Sequence, residues 1–231
     1  MSSDSTSLNK FISQTGICSR READTWIDAG RVCINGEVAR KGNRVFDNDE
    51  VTIDGKPLKE KPKTVYLAFN KPQGITCTTD LSDPSNIIDF INHPLRIFPI
   101  GRLDKASVGL ILLTNDGDIV NHVLREENEH EKEYIVKVDR PIGRDFIEKM
   151  SDGVPILGTK TKNCLIEQKS KYSFKIILTQ GLNRQIRRMC NHFNYEVKSL
   201  KRIRIIDVYL GNLKEGSWRA LRPEELKSLK K

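Results

Sequence analysis

Apolar residues recur at helical spacing near the start of the chain, and the pattern then changes to that of short strands. The segment Ser19–Glu22 is typical of a capping box, in which the serine and the glutamate each satisfy a helix-end amide. The helix that it opens ends at Gly30. The pair Asn35-Gly36 lies between apolar runs and predicts a hairpin. Two short helices and a small sheet therefore precede a charged, proline-containing linker at Lys59–Lys63.

After the linker, runs rich in β-branched and aromatic residues alternate irregularly with helical stretches. The predicted strands are Val65–Phe69, Ile111–Thr114, Tyr134–Val138, Phe174–Leu178 and Ile203–Tyr209. The predicted helices are Asp118–Arg125, Arg144–Met150, Asn183–Phe193 and Pro223–Leu229. Because the order is not a clean alternation, we predict an α+β fold with a mixed, mostly antiparallel sheet. We expect two domains, residues 1–60 and 61–231.

The composition is that of a globular protein with a sizeable core. The chain has 231 residues, of which 30% are charged and 37% hydrophobic. No apolar run approaches the roughly 18 residues that a membrane span needs, and the polar N-terminus lacks the apolar core of a signal peptide. We therefore expect a cytoplasmic protein with no membrane partner. The five cysteines contain no C-x-x-C pair, so neither a zinc site nor a disulfide framework is indicated.

The positive charge is concentrated in one part of the chain. The net charge is +8, yet residues 1–63 hold 11 basic and 10 acidic residues. Between Arg184 and Arg204, seven basic residues face one acidic residue, Glu196. Such a segment is typical of a nucleic-acid site, although a solvated basic surface would give the same pattern.

The common enzyme signatures are absent from the sequence. There is no Walker A loop, no dinucleotide-binding glycine motif, no G-x-S-x-G and no H-E-x-x-H. The four histidines show no metal-ligand spacing. Nucleotide-triphosphate enzymes, Rossmann oxidoreductases and zinc deaminases therefore lose support.

Four short runs remain as candidates for chemistry: Asn70–Gly74, Gly101–Lys105, Glu131–Tyr134 and Gln180–Met189. In this order and at this spacing they resemble the RsuA-type branch of the pseudouridine synthases, and the fourth run favours members that act on large-subunit ribosomal RNA. The N-terminal pattern resembles the S4 RNA-binding domain. The expected architecture is thus a small S4-like domain joined to a pseudouridine synthase catalytic domain.

The resemblance implies a site-specific isomerase that converts uridine to pseudouridine in 23S ribosomal RNA, with a transfer RNA as a second candidate substrate. Asp104 matches the essential aspartate, Arg187 its salt-bridge partner and Tyr134 the active-site tyrosine. Arg102 matches the arginine that helps to fill the space left by the flipped base. Asp104 could attack covalently or remove a proton, and either role needs it ionised. The reaction is internally balanced, so no cofactor or metal is expected.

Seven basic residues are candidates for RNA contact. The S4 resemblance implies Lys10, Arg20, Arg21 and Arg31. Arg184 and Arg188 lie four positions apart on the outer face of the predicted helix Asn183–Phe193, where they suit phosphates, although a solvated surface would give the same pattern. Lys71 is expected either to help the fold or to contact RNA. Helical geometry adds an independent expectation for Arg187. Ile186 begins an apolar stripe, and Arg187 lies about 100° further round, where a long side chain can reach inward from the edge.

Two other functions remain open at this point. The chain could be an RNA-binding module without activity, although such a module would not need Asp104, Tyr134 and Arg187 together. It could also be another S4-containing RNA factor, although the long region after the linker is more than such a factor needs. In each case we expect RNA as the partner and a monomeric protein.

Overall fold

The computed structural model describes residues 5–125 and 129–230. The chain divides into two compact units. The N-terminal unit is Met1–Thr64 with Pro94–Arg96, and the C-terminal unit is Val65–His93 with Ile97–Lys231. Within the described residues, no helix has the length and apolar character of a membrane span.

The N-terminal unit is a helix pair with small antiparallel sheets. Its elements are β1 (Thr6–Ser7), α1 (Leu8–Gln14), α2 (Arg20–Asp28), β2 (Val32–Ile34), β3 (Glu37–Val38), β4 (Arg44–Val45), β5 (Val51–Ile53) and β6 (Lys56–Pro57). The sheets have the orders β3-β2-β5-β6 and β1-β4. Leu8 and Ile12 of α1 pack with Ala23 and Ile27 of α2, which gives the unit its own core.

The local signals of this unit are confirmed. Ser19 Oγ accepts a hydrogen bond from the Glu22 amide at 3.1 Å, and the Glu22 carboxylate accepts one from the Ser19 amide at 2.7 Å. The hydrogen bonds that the Glu22 carboxylate accepts from the backbone and side chain of Ser19 hold the pKa of Glu22 below its usual value. Asn35 and Gly36 both have positive φ, 51° and 84°, as the two-residue turn between β2 and β3 requires.

The C-terminal unit is built on a nine-stranded sheet. Its strands, with a separate β11–β12 hairpin, are β7 (Tyr66–Lys71), β8 (Phe98–Ile100), β9 (Val108–Thr114), β10 (Lys132–Val138), β11 (Pro155–Ile156), β12 (Thr159–Lys160), β13 (Leu165–Ser170), β14 (Ser173–Leu178), β15 (Val197–Ile205), β16 (Val208–Tyr209) and β17 (Trp218–Ala220). Its helices are α3 (Ile87–Ile91), α4 (Gly117–Leu124), α5 (Arg144–Ser151), α6 (Gln185–His192) and α7 (Pro223–Leu229).

The sheet is mixed and mostly antiparallel, as predicted. Its main path is β13-β14-β10-β15-β9-β7-β17, with β16 beside β15 and β8 beside β9. Among the strand pairs of the described residues, β15 with β9 is the parallel one. Alternate residues of β9 face opposite layers: Leu110 and Leu112 pack with α4 and α7, whereas Ile111 and Leu113 pack with α3. The second layer also holds Leu103, one residue before Asp104.

The predicted strand Ile203–Tyr209 is wrong in its bounds. The strand β15 begins at Val197 and ends at Ile205, and the chain then turns back so that Tyr209 of β16 pairs with Arg204. Ile206 opens this turn with φ of +52°, a conformation that a β-branched side chain disfavours. This turn was missed because it contains no glycine, proline or asparagine, the residues that usually mark a turn in a sequence.

Candidate active site

Asp104 lies on the loop that leads into β9, and local hydrogen bonds fix this loop. The Leu103 amide donates to Cys77 Sγ at 3.4 Å, and the Ser107 amide donates to the Asp104 carbonyl at 2.9 Å. Leu103 is buried, whereas the Asp104 side chain remains 31% exposed. The loop therefore holds a carboxylate at the surface on a buried apolar anchor.

Lys71 is buried beside the same loop and contacts its backbone at Lys105. Its ammonium donates to the carbonyls of Pro72 at 2.9 Å and Ile75 at 2.8 Å, with Lys105 at 3.5 Å. The residue is completely buried, and this burial lowers the pKa of Lys71. The Gly74 amide also donates to the Lys105 carbonyl, which ties the two loops together. Of the two roles expected for Lys71, these contacts agree with the one in the fold, and the RNA contact is contradicted because the charge of Lys71 does not reach the surface.

Arg187 reaches inward from α6 to the carboxylate. Its Nε lies 3.7 Å from Asp104 Oδ2 and has no hydrogen-bond acceptor among the described residues. The guanidinium also donates to the Val197 carbonyl at 3.2 Å and to Ser107 Oγ at 3.2 Å. Burial lowers the pKa of Arg187, and the Asp104 charge opposes that shift. Neutral acceptors thus fix the guanidinium, with its Nε within ion-pair distance of Asp104.

The position of Arg187 follows from the helix pattern. Ile186, Met189 and Cys190 are buried in the core, and Phe193 packs against them, as the predicted apolar stripe requires. The Arg187 side chain lies at the edge of this stripe and is only 13% exposed. Its inward reach therefore agrees with the expectation from helical geometry.

Arg184 brings a second cation to the same carboxylate oxygen. It is the N-cap residue of α6, with φ of +50°, and its Nη1 lies 3.9 Å from Asp104 Oδ2. Its side chain is 51% exposed. Arg188 is exposed as well, but its guanidinium donates to the backbone carbonyl and side chain of Asn183. Of these two arginines, Arg184 lies beside the Asp104 carboxylate, whereas Arg188 is bound to Asn183.

Tyr134 lies on β10, directly opposite Arg202 of β15. The tyrosine is half-buried and packs against the apolar layer that contains Leu103. The Arg202 guanidinium carbon lies 6.0 Å from the centre of the Tyr134 ring. Arg102, which precedes Leu103, is exposed. The loop, α6 and the central strands thus place a carboxylate, two cations and an aromatic ring in one unit.

The basic segment between Arg184 and Arg204 is only partly a surface. Arg202 is 4% exposed and Arg204 is 9% exposed, so neither offers its charge to a polyanion in solution. Arg204 instead donates to the carboxylates of Glu131 and Glu133, each at 2.8 Å. The sequence count of seven basic residues therefore overstates the surface charge of this segment.

The predicted RNA contacts of the N-terminal unit differ in exposure. Arg20 and Arg21 are exposed at the start of α2, and Lys10 on α1 is half-buried. Arg31 forms a 2.5 Å ion pair with Asp54, and its guanidinium lies 5.2 Å from the Trp26 ring centre. Arg31 is therefore already held by partners of its own unit.

The chain is similar to known proteins over almost its whole length. The family descriptions that match are RNA pseudouridylate synthase, over residues 65–192, and S4 domain, over residues 6–51. The chain is 54% identical over 221 residues to the dual-specificity RNA pseudouridine synthase RluF of Escherichia coli (strain K12), covering 95% of this chain and 76% of that protein. It is 34% identical to the ribosomal large subunit pseudouridine synthase B of Bacillus subtilis (strain 168), covering 96% and 95%.

A solved structure described as that of a pseudouridylate synthase has the same fold. It superimposes with a TM-score of 0.72 at 30% sequence identity, covering 96% of this chain and 99% of the other. A match over more than half of the chain to one enzyme family removes the alternative of an unrelated S4-containing factor. The chain belongs to the RNA pseudouridylate synthase family, whose members are isomerases that act on RNA.

Proposed function

We propose that this protein isomerises a specific uridine of large-subunit ribosomal RNA, with Asp104 as the catalytic carboxylate. The observation that carries the proposal is the contact between Asp104 and Arg187. The other two nitrogens of this mostly buried arginine donate to neutral acceptors, and its Nε lies 3.7 Å from Asp104 Oδ2. A fixed neighbouring cation favours the ionised carboxylate that either catalytic role requires.

The remaining predicted residues have distinct roles in this proposal. Tyr134 stacks on the target base after it has left its helix or loop. Arg102 is exposed on the same loop as Asp104, where it can help to fill the space that the base leaves. Arg184 and Arg188 are exposed around the start of α6 and contact phosphates, as do Lys10, Arg20 and Arg21 of the N-terminal unit. Arg31 contributes less, because Asp54 already neutralises it.

The substrate is proposed from the names of the relatives. One relative is named as a dual-specificity RNA enzyme and another as a ribosomal large subunit enzyme. We therefore expect 23S ribosomal RNA as the first substrate and a transfer RNA as a second candidate. We also expect the protein to act as a monomer in the cytoplasm, which sedimentation and cell fractionation would check.

The test uses unmodified RNA and chemical mapping of pseudouridine. Wild-type protein is incubated with transcripts of 23S ribosomal RNA and of transfer RNAs, beside Asp104→Asn and the control Asp152→Asn. Asp152 is an exposed carboxylate at the end of α5, so its substitution should leave the activity unchanged. Wild type and control should modify the same uridine and Asp104→Asn none. The proposal fails if wild type modifies no uridine in any of these RNAs, or if Asp104→Asn is equally active.

A further inference from the structure

A row of paired residues crosses four strands of the sheet in the C-terminal unit. Tyr134 of β10 pairs with Arg202 of β15, Arg202 pairs with Gly109 of β9, and Gly109 pairs with Lys71 of β7. Residues that pair directly project to the same face of a sheet. The row therefore joins Tyr134 to the lysine that braces the Asp104 loop, and Arg202 stands in its middle.

Gly109 allows the backbones of β9 and β15 to approach each other closely at Arg202. A Cβ atom at Gly109 would lie 2.3 Å from the backbone oxygen of Arg202, and the glycine has φ of +99°. The two backbones approach so closely that no side chain fits between them. The Arg202 side chain crosses to β9, where its Nε donates to the Leu110 carbonyl at 2.7 Å.

Arg202 has fewer hydrogen bonds than a buried guanidinium needs to offset its loss of hydration. The residue is 4% exposed, and its Nη2 has no acceptor among the described residues. Burying a guanidinium with so few partners costs stability relative to an apolar residue. Arg204, two positions along the same strand, is the counter-example, because two carboxylates and the Ile206 carbonyl receive its donors.

The Arg202 guanidinium also lies over the Tyr134 ring. The guanidinium carbon lies 6.0 Å from the ring centre, at the outer limit of the range for cation–π attraction. Such an attraction is stronger for a desolvated cation than for an exposed one. The Arg202 charge lowers the pKa of Lys71 further, beyond the effect of burial, whereas the Asp104 charge opposes that shift.

From this geometry we infer that Arg202 is a positioning residue, which holds the Tyr134 ring in the orientation that receives the target base. The inference rests on the proposed function. Arg202 is only 4% exposed, too little to bind a phosphate, so its effect on catalysis passes through Tyr134 and not through direct RNA contact.

The chain offers a matched control on the same strand. The Arg204 guanidinium carbon lies 5.9 Å from the centre of a different ring, that of Tyr209. Protein labelled with 3-fluorotyrosine has five tyrosines to report by ¹⁹F NMR, and Tyr134→Phe and Tyr209→Phe assign two of the signals. Arg202→Gln should move or broaden the Tyr134 signal and leave Tyr209 unchanged. Arg204→Gln should move the Tyr209 signal more than that of Tyr134, which it reaches only through Glu133, the residue before Tyr134.

The kinetic arm separates positioning from a general loss of stability. Arg202→Gln should lower the single-turnover rate constant roughly 3- to 30-fold, the rate equivalent of about 0.7–2 kcal/mol, with little change in RNA affinity. Arg202→Lys, which keeps the charge, should recover part of the rate. Arg204→Gln should lower the melting temperature but leave the rate of the folded protein within about twofold. If Arg202→Gln does not fold, Arg202→Lys replaces it, with an intermediate rate and a moved Tyr134 signal expected.

An unmoved Tyr134 signal, or an unchanged rate in the folded variant, overturns the inference. A loss of RNA affinity with an unchanged rate constant overturns it as well, because that result indicates direct RNA contact. If wild type makes no pseudouridine, the proposed function has failed, and the ¹⁹F comparison still decides whether Arg202 holds Tyr134.

Discussion

Replacing Arg187 by glutamine tests the electrostatic part of the site most sharply. The change removes the cation that lies 3.7 Å from Asp104 Oδ2. At that distance Coulomb's law gives about 4.5 kcal/mol for an effective dielectric constant of about 20, and about 1.1 kcal/mol in water. Asp104 is 31% exposed and Arg184 supplies a second charge at 3.9 Å, so the loss should lie below the middle of this range. We expect the single-turnover rate constant to fall roughly 10- to 100-fold.

The assay must separate lost charge from lost structure. Arg187 also donates to the Val197 carbonyl and to Ser107 Oγ, so Arg187→Gln lowers the free energy of unfolding as well. Arg187→Lys keeps the charge but not the planar fork, and it should be faster than Arg187→Gln. Ser107→Ala removes one acceptor and no charge, and it should cost stability but little rate. Single-turnover pseudouridine formation and thermal unfolding are measured for all three variants.

The electrostatic reasoning is refuted by either of two results. One is a folded Arg187→Gln variant whose rate is within threefold of wild type. The other is a Ser107→Ala variant as slow as Arg187→Gln, because the loss would then come from disturbed packing around α6 and not from the missing cation.

Three further predictions concern other parts of the C-terminal unit. Gly109→Ala should destabilise the protein by about 3 kcal/mol or more in denaturant unfolding, because its Cβ would clash with the Arg202 backbone and its φ of +99° is strained; an unfolding midpoint unchanged from wild type would contradict this. Arg184→Ala should weaken RNA binding and reduce the slope of log affinity against log salt by about one unit; an unchanged slope would remove Arg184 from the phosphate contacts. Glu225→Gln should cost about 2–3 kcal/mol at neutral pH, because the Glu225 carboxylate accepts two hydrogen bonds of 2.7 Å from Arg219. Burial alone would raise the pKa of Glu225, but its arginine partners hold that pKa below the usual 4.5. The stability that the Glu225 carboxylate contributes is therefore full above about pH 4.5 and is lost as the pH falls through its lower pKa in the folded protein. A difference in stability between wild type and Glu225→Gln that stays constant into acid would refute this prediction.

Local features of the sequence predicted local structure well. The capping box at Ser19, the turn at Asn35-Gly36 and the helix Pro223–Leu229 are in the structure as expected. Each depends on residues a few positions apart, whose effect on the backbone does not need the rest of the fold. The inward reach of Arg187 was predictable for the same reason, since the wheel of one helix sets it.

Elements that depend on distant partners were missed. The strand β13 has exposed, polar residues, and β17 is a three-residue edge strand, so neither has the alternating apolar pattern of a strand. The helix α3 has five residues, too few for a periodic signal. These elements form because β14, β7 and the apolar layer beside them supply pairing and burial.

The burial of three basic residues, Lys71, Arg202 and Arg204, could not be predicted from the sequence. Lys71 has the sequence context of a surface lysine, but pairing of β7 with β9 buries it, and its ammonium donates to the nearby carbonyls of Pro72 and Ile75. Arg202 and Arg204 read as part of a basic surface, but the register of β15 against β10 places them inside. Arg202 donates to Leu110 and Arg204 to Glu131 and Glu133, all far along the chain, so counting charges could not separate these two arginines from Arg184.

The most direct test of the central claim is the reaction of Asp104→Asn under single-turnover conditions, with RNA affinity measured on the same protein. The substitution keeps the shape of the side chain and removes its charge. The account predicts RNA binding within about threefold of wild type and no detectable pseudouridine at times when wild type has converted all of its substrate. A variant that binds RNA normally and forms pseudouridine within tenfold of the wild-type rate would contradict the assignment of Asp104 as the catalytic carboxylate.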